Sequence, residues 1–361
     1  MTNQIKSVVI FRLGELFSGP GGLALGAFKN KIVSCSSDYL IQHLWAVDYD
    51  SDACETYRRN LCPDCPQSVI CEDVRKLQIE ALKPIDGFAF GFPCNDFSVV
   101  GERLGFKGEF GPLYQYGVKI LRYFKPQWFL AENVSGLRSA GSGDEFKKIL
   151  KDLDESGYHL TAHLFKFEEY GVPQSRHRII IVGIEKKLRL EFKVPAPTHL
   201  AKPVTARKAL KCPPIALNTP NHEFTRQSDK VVRRLKFILP GQNAWTAAIP
   251  KDLCLHVERA RLSHIYKRLD PEKPSYTVTG SGGGGTHIYH WEEARSLTNR
   301  ERARLQTFSD DFVFYGSKES VRRQIGMAVP PKAARIIFES ILKTFAGIDY
   351  DSVKANLLPL K

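Results

Sequence analysis

Cys94 lies in Gly91-Phe92-Pro93-Cys94-Asn95-Asp96-Phe97-Ser98, directly behind the apolar run Gly87-Phe88-Ala89-Phe90. That run reads as a buried strand, and Gly91 and Pro93 end it. The thiol is therefore presented on a tight turn at a strand tip, where open α/β sheets bind their ligands. A thiol there is a nucleophile when its surroundings favour the thiolate. Taken alone, a cysteine is more often a small buried apolar residue. Its company changes the reading. Glu132 follows a second apolar strand, Gln127 to Ala131, and places an acid at a parallel tip. Arg176 and Arg178 stand two apart in Gln174-Ser175-Arg176-His177-Arg178. On an extended chain they project to one side, and two guanidinium groups on one pocket suit an anion or a base edge. A solvated sheet edge is the plainer alternative.

A second constellation lies upstream. Val8 to Phe17 reads as a strand that runs into Ser18-Gly19-Pro20-Gly21-Gly22 and then a helix from Leu23. Strand, glycine loop and helix N-terminus form a site for a nucleotide-like ligand. Ala24 stands where a dinucleotide fingerprint wants its third glycine, so the fit is loose. Leu44 to Asp48 reads as the next strand, ending in an acid placed to meet a ribose hydroxyl pair. Tyr49 follows it, and Ser51 to Asn60 reads as a helix with Ser51 as its cap. Ser68 to Val74 reads as a third strand with Asp73 near its end.

These residues need a scaffold. Alternating strands and helices up to Ile184 predict an α/β domain with a largely parallel sheet. The glycine-rich, charged stretch from Ser98 to Gly111 reads as a lid loop. Asp144 to Ser156 reads as a helix, and His159–Phe167 and Arg178–Ile184 as strands. Beyond residue 185 the periodicity fades and prolines and basic residues multiply, which places a domain boundary there. Arg233-Arg234, Lys236-Phe237 and Arg259 to Arg268 interleave basic and aromatic residues, a pattern suited to phosphate and base contacts or to a solvated surface. Gly282 to Gly285 is either a flexible linker or a backbone made to lie against a ligand. Leu297 to Leu305 and Ala333 to Phe345 read as helices.

With Lys and Arg at 52 against Asp and Glu at 39, the net charge is +13 and favours a polyanionic partner. No run is long and apolar enough for a membrane span, and the N-terminus lacks a leader's apolar stretch. A cytoplasmic location is expected. The eight cysteines show no disulfide framework. Cys62-Pro63-Asp64-Cys65, with Cys71 beyond, leaves zinc a ligand short, and no metal is expected.

In this order the segments resemble the cytosine-5 DNA methyltransferases of bacterial restriction–modification systems. The likeness spans nearly the whole chain. Phe17 to Gly22 resembles the first cofactor motif, Pro93-Cys94 the nucleophile motif and Glu132-Asn133-Val134 the glutamate motif. Gln174, Arg176 and Arg178 resemble the paired-arginine motif. Arg268 to Gly285 and Gln324 to Pro331 resemble the two late motifs. Asn95 and Met327 depart from the family's usual glutamine and asparagine.

The resemblance implies a Rossmann-like S-adenosylmethionine-dependent domain over 1–184, completed by 322–361. A smaller, mostly β target-recognition domain would cover 185–321. It further implies that Cys94 adds to carbon 6 of a flipped-out cytosine, which then accepts a methyl group at carbon 5. Glu132 would meet ring nitrogen 3 and the exocyclic amine, and Arg176 and Arg178 would hold the base. The cofactor, released as S-adenosylhomocysteine, would lie against Phe17, Ser18, Gly19, Gly21, Gly22, Leu23, Asp48, Tyr49, Asp73, Val74, Pro93, Leu113, Met327 and Val329. DNA contacts would fall to Ser98, Arg268, Thr279 and Gly282. The partner would be double-stranded DNA, met as a monomer, with a cognate restriction endonuclease as functional partner. A tRNA methyltransferase of the same fold, a catalytically silent DNA-binding derivative and a nicotinamide oxidoreductase are the alternatives.

Overall fold

A computed structural model describes residues 6–34, 37–92, 113–255, 262–282 and 284–357. Its strands are β1 (Ser7–Leu16), β2 (Lys31–Val33), β3 (Ser37–Asp48), β4 (Val69–Cys71), β5 (Gly87–Gly91), β6 (Trp128–Val134), β7 (Tyr158–Lys166), β8 (His177–Glu185), β9 (Val194–Pro195) and β10 (Ser352–Val353). Its helices are α1 (Gly22–Phe28), α2 (Ser51–Leu61), α3 (Tyr114–Phe124), α4 (Asp144–Asp154), α5 (Ala206–Lys211), α6 (Asp229–Lys236), α7 (Asn299–Leu305), α8 (Lys318–Met327) and α9 (Pro331–Ala346). The chain divides into two compact units. The first comprises residues 1–166, 177–197 and 331–361, and the second 167–176 and 198–330. None of the described helices is long and apolar enough to cross a membrane.

The first unit is built on an eight-stranded sheet in the order β2-β3-β1-β5-β6-β8-β7, with β4 on β3. β1, β3, β4, β5 and β6 run parallel, while β2, β7 and β8 pair antiparallel. β1 has β3 on one side and β5 on the other, so the strand order switches direction at its C-terminal end, which opens a crevice there. The parallel strands read as continuous apolar runs because both faces are covered. Phe88, Phe90, Phe129, Ile120, Ile149 and Ile181 are fully buried in one cluster between the sheet and α3 and α4. On the other face Gly26 of α1 packs so tightly on α9 that a Cβ there would lie 2.6 Å from the Ala334 Cβ. α2 starts on Asp50, whose carboxylate accepts from the amides of Asp52 and Ala53 at 3.0 and 3.1 Å. The cap is thus Asp50 and not Ser51. The third strand is shorter than expected, since Cys71 ends β4 and Glu72 and Asp73 turn away.

The second unit corrects the expectation of a mostly β domain. Its described residues hold helices and isolated bridges, but no strand. Scattered prolines remove ladder donors, and arginine side chains take over the carbonyls. The units also divide elsewhere than at 184/185 and 321/322. Residues 167–176 belong to the second unit because Pro173 and Ser175 bond to Ser275. β9 stays with the first because it pairs with β10. α8 stays with the second, where it packs on α7.

Candidate active site

The crevice end of β1 is shaped by three left-handed residues, Phe17 (φ 55°), Gly19 (φ 53°) and Gly21 (φ 92°). Gly21 is required twice over. Its backbone is left-handed, and a Cβ would stand 2.2 Å from Leu61 Cδ1. Ser18 N–H donates to the Val47 carbonyl at 3.2 Å, and Gly19 N–H to Asp48 Oδ2 at 2.8 Å. The other Asp48 oxygen accepts from Asp50 N–H at 3.0 Å. Asp48 therefore fastens the glycine loop to the tip of β3. Burial pushes its carboxyl above the usual range, against the pull of these amides. Tyr49, beside it, is 70% exposed. Farther along the same edge, Asp73 holds Arg75, whose guanidinium keeps the carboxyl below the usual range. Val74 and Leu113 are buried.

This loop fits an extended polar ligand. The Ser18 hydroxyl is buried with no hydrogen-bond partner among the described residues. The space above Gly19 is open, since a Cβ there would meet nothing within 4 Å. An orphaned hydroxyl, an open backbone and the exposed Tyr49 ring together suit a nucleoside bearing a polar tail.

Next to the loop, β5 carries the chain toward Pro93-Cys94. Cys94, Pro93 and Ser98 lie outside the described residues, as does Asn95. Glu132 pairs in register with Gly91, the last residue of β5. A Cβ on Gly91 would lie 3.2 Å from Glu132 Oε2, so the glycine leaves room for the carboxylate. Asn133 Nδ2 donates to the Phe92 carbonyl at 3.3 Å, tethering the chain just before Pro93. On the other side β8 runs antiparallel, with Ile180 opposite Glu132 and Arg178 opposite Val134. A two-residue offset keeps both side chains on one face. Arg178 Nε meets Glu132 Oε1 at 2.8 Å, with each side chain 13% exposed. Glu132 lies inside β6 and not behind it, as the sequence had placed it, so its position is fixed by ladder bonds on both flanks.

The two arginines, two apart in the sequence, fall in different units. β8 starts at His177, and Arg176 belongs to the second unit. There it is 1% exposed, and its terminal nitrogens donate to the carbonyls of Val278, Gly326 and Ala328 at 3.0–3.1 Å. Arg178 carries its guanidinium to Glu132. Arg268, expected at DNA, is also buried. Its nitrogens donate to the carbonyls of His290, Leu235, Ile238, Trp291 and Glu293. With every N–H engaged it is a strut of the unit, which corrects the DNA assignment. Thr279 Oγ1 donates to the Ser281 carbonyl, and Gly282 has φ 139°. At the end of α8, Met327 is 61% exposed and Val329 buried.

Sequence reasoning missed Glu15. It sits in β1 two residues before Phe17 and is 1% exposed. Burial raises its carboxyl to about 8. Its Oε2 accepts from Tyr57 OH at 3.3 Å, and Tyr57 OH in turn meets His43 Nδ1 at 3.2 Å. Burial holds the His43 imidazole down at about 4, so it is neutral. The signal was present, since Glu15 is an acid inside an otherwise apolar strand, but the glycine loop drew the attention.

A family profile of C-5 cytosine-specific DNA methylases matches residues 11–343. The chain is 59% identical over 356 residues to the Type II methyltransferase M.BbvI of Brevibacillus brevis, covering 96% of this chain and 94% of that one. It is 40% identical over 349 residues to M.NgoFVII of Neisseria gonorrhoeae, covering 94% and 88%. Among solved structures it resembles a putative DNA modification methyltransferase encoded in an E. coli prophage, with TM-score 0.69 at 24% identity over 92% of this chain and 99% of that one. A Spodoptera frugiperda DNMT2 variant follows with TM-score 0.60 at 16% identity, covering 91% and 99%. The fold, the glycine loop tied to Asp48 and the sequence likeness agree: the chain belongs to the C-5 cytosine-specific DNA methylases.

Proposed function

We propose that this protein methylates carbon 5 of one cytosine within a specific duplex site, as the modification arm of a restriction–modification system. The observation that carries the reading is the Glu132–Arg178 pair, set at 2.8 Å beside the strand end that leads into Pro93-Cys94. Bound S-adenosylmethionine supplies an electrophilic methyl group. Phe17 to Leu23, Asp48, Tyr49, Asp73 and Val74 would hold it. Cys94 adds as thiolate to carbon 6 of the cytosine, which makes carbon 5 nucleophilic. Glu132 grips ring nitrogen 3 and the exocyclic amine, and Arg178 fixes the carboxyl by a charge-assisted bond. After transfer a base removes the carbon 5 proton, and the C–S bond breaks to free Cys94. The target base must leave the duplex stack to reach these groups. A cognate endonuclease and a monomeric state complete the proposal.

The test is trapping on duplex DNA carrying 5-fluorocytosine at the target, whose fluorine cannot leave as a proton does. Wild type should form a denaturant-stable adduct and Cys94→Ala none. Full methyl transfer by Cys94→Ala would overturn the mechanism. Duplex DNA and tRNA assayed side by side separate the two substrates.

A further inference from the structure

Away from the crevice, the first unit gathers a second set of reactive side chains. Cys62 and Cys65 flank the turn after α2, and His43 comes from β3. One ligand atom from each lies within 4.8 Å of the others. The sequence offers Cys62, Cys65 and Cys71 with no fourth ligand nearby; His43, distant in the chain, joins Cys62 and Cys65 only in the fold. The turn is firmly built. Cys65 N–H donates to the Cys62 carbonyl at 3.1 Å, and Ser68 N–H and Oγ donate to the Cys65 carbonyl at 3.0 and 2.6 Å. Arg58 ties the same strap to α2 through the carbonyls of Pro66 and Val69. His43 Nε2 faces Ser68 Oγ at 2.6 Å, and that hydroxyl lies 3.7 Å from Cys65 Sγ. Its Nδ1 is held by Tyr57, which leans on Glu15.

We propose that His43 Nε2 and the thiolates of Cys62 and Cys65 bind one zinc ion, with water as the fourth ligand. The donor set is one imidazole and two sulfurs, with the two-residue spacer common among zinc cysteines. Zn–S and Zn–N bonds of about 2.3 and 2.0 Å set tetrahedral ligand atoms about 3.5 Å apart, so the three groups close by about 1.3 Å at most. On binding, both thiols release a proton, and the Ser68–His43 hydrogen bond gives way to the N–Zn bond. Tyr57 on Nδ1 supplies the outer partner that orients a metal-bound imidazole, backed by the Glu15 carboxyl. The ion thereby clamps the 62–68 strap to β3, the strand that ends in Asp48.

The full chain, expressed with zinc and purified without chelator, should carry about one zinc per molecule by elemental analysis. Replacement by cobalt should give a thiolate-to-metal absorption band. Cys62→Ser, Cys65→Ser and His43→Asn should each lose at least about nine-tenths of the metal, whereas Cys71→Ser and Cys254→Ser retain it. A zinc-free wild type, equal loss in Cys71→Ser, or a Cys62–Cys65 disulfide in freshly isolated protein would overturn the proposal. If the variants do not fold, the cobalt spectrum of folded wild type decides: a thiolate band supports the site and its absence sinks it.

Discussion

The two units satisfy their buried backbone in opposite ways. In the first, strands pair with strands, and β1 alone is bonded along its length to β3 and at its end to β5. Side chains are then free to pack, and aromatic rings lie flat over glycines across the sheet: Trp45 over Gly14, Trp128 over Gly87, Phe129 over Gly183. In the second, among the described residues, short helices, scattered loop–loop bonds and isolated bridges such as Gln174–Ser275 and Arg268–Tyr289 stand in place of a ladder. Several of its loop carbonyls accept from buried guanidinium groups. Arg268 and Arg176 were described above. Arg300, fully buried, serves the carbonyls of Pro220, Ser309 and Phe312. Arg234 serves Leu253 and stacks on Tyr266. A guanidinium offers five donors in a fixed fork and can gather several loops at one point. Irregular loops that have no ladder are thus fixed by guanidinium struts.

The sharpest way to break this comparison is Arg268→Ala. It strips the side-chain donor from five carbonyls on two separate segments, 235–238 and 290–293. Each buried carbonyl left short costs about 1 kcal/mol or more, so the second unit should lose about 4 kcal/mol. Arg268→Lys should recover little, because an ammonium cannot span the fork. Hydrogen exchange read by mass spectrometry is the check. Peptides from 229–243 and 288–297 should lose protection, while those from β1, β6 and β8 keep theirs. Equal loss in the sheet would mean that the two units do not differ in what holds them.

The second test probes the sheet unit's exception, Glu15, a buried acid that the ladder does not neutralise. Its folded carboxyl titrates at about 8 against an ordinary 4.5. Between those values the native state holds a proton that the unfolded chain has released, so stability falls as pH rises and levels off above about 8. Glu15→Gln removes that slope. Relative to wild type it should be near neutral at about pH 4 and more stable by about 3 kcal/mol at about pH 7, by urea titration at each pH. Parallel curves for the two proteins would show that the carboxyl is solvated or paired after all.

The same contrast explains what could be read from the sequence. β5 and β6 were legible because strands buried on both faces are unbroken apolar runs ended by Gly91 and by the Glu132 motif. The glycine loop was legible because left-handed backbone selects glycine. Arg268 and Arg234 were misread for the converse reason. A basic residue beside aromatics looks the same whether it faces a phosphate or a carbonyl, and only the fold tells them apart. Arg176 and Arg178 were read as partners because extended geometry was assumed through His177, where the chain passes from one unit to the other. His43 was missed as a neighbour of Cys62 and Cys65 because β3 and the strap meet only through the sheet.

The smallest effect sharpens the comparison from the other side. α7 in the second unit begins with a local device, a capping box. Thr298 Oγ1 accepts from Glu301 N–H at 3.2 Å, and Glu301 Oε2 accepts from Thr298 N–H at 2.8 Å. Arg295 reaches both Glu301 oxygens at 2.8 Å. Thr298→Ala removes one cap bond and the contact with His222 Nδ1 at 2.9 Å. The loss should be about 1 kcal/mol, and Thr298→Ser should restore most of it. Because Glu301 and Arg295 remain in place, exchange should quicken only in the first turn of α7. If Thr298→Ala instead opened the whole second unit as Arg268→Ala is expected to, helix caps and not guanidinium struts would be what its loops depend on.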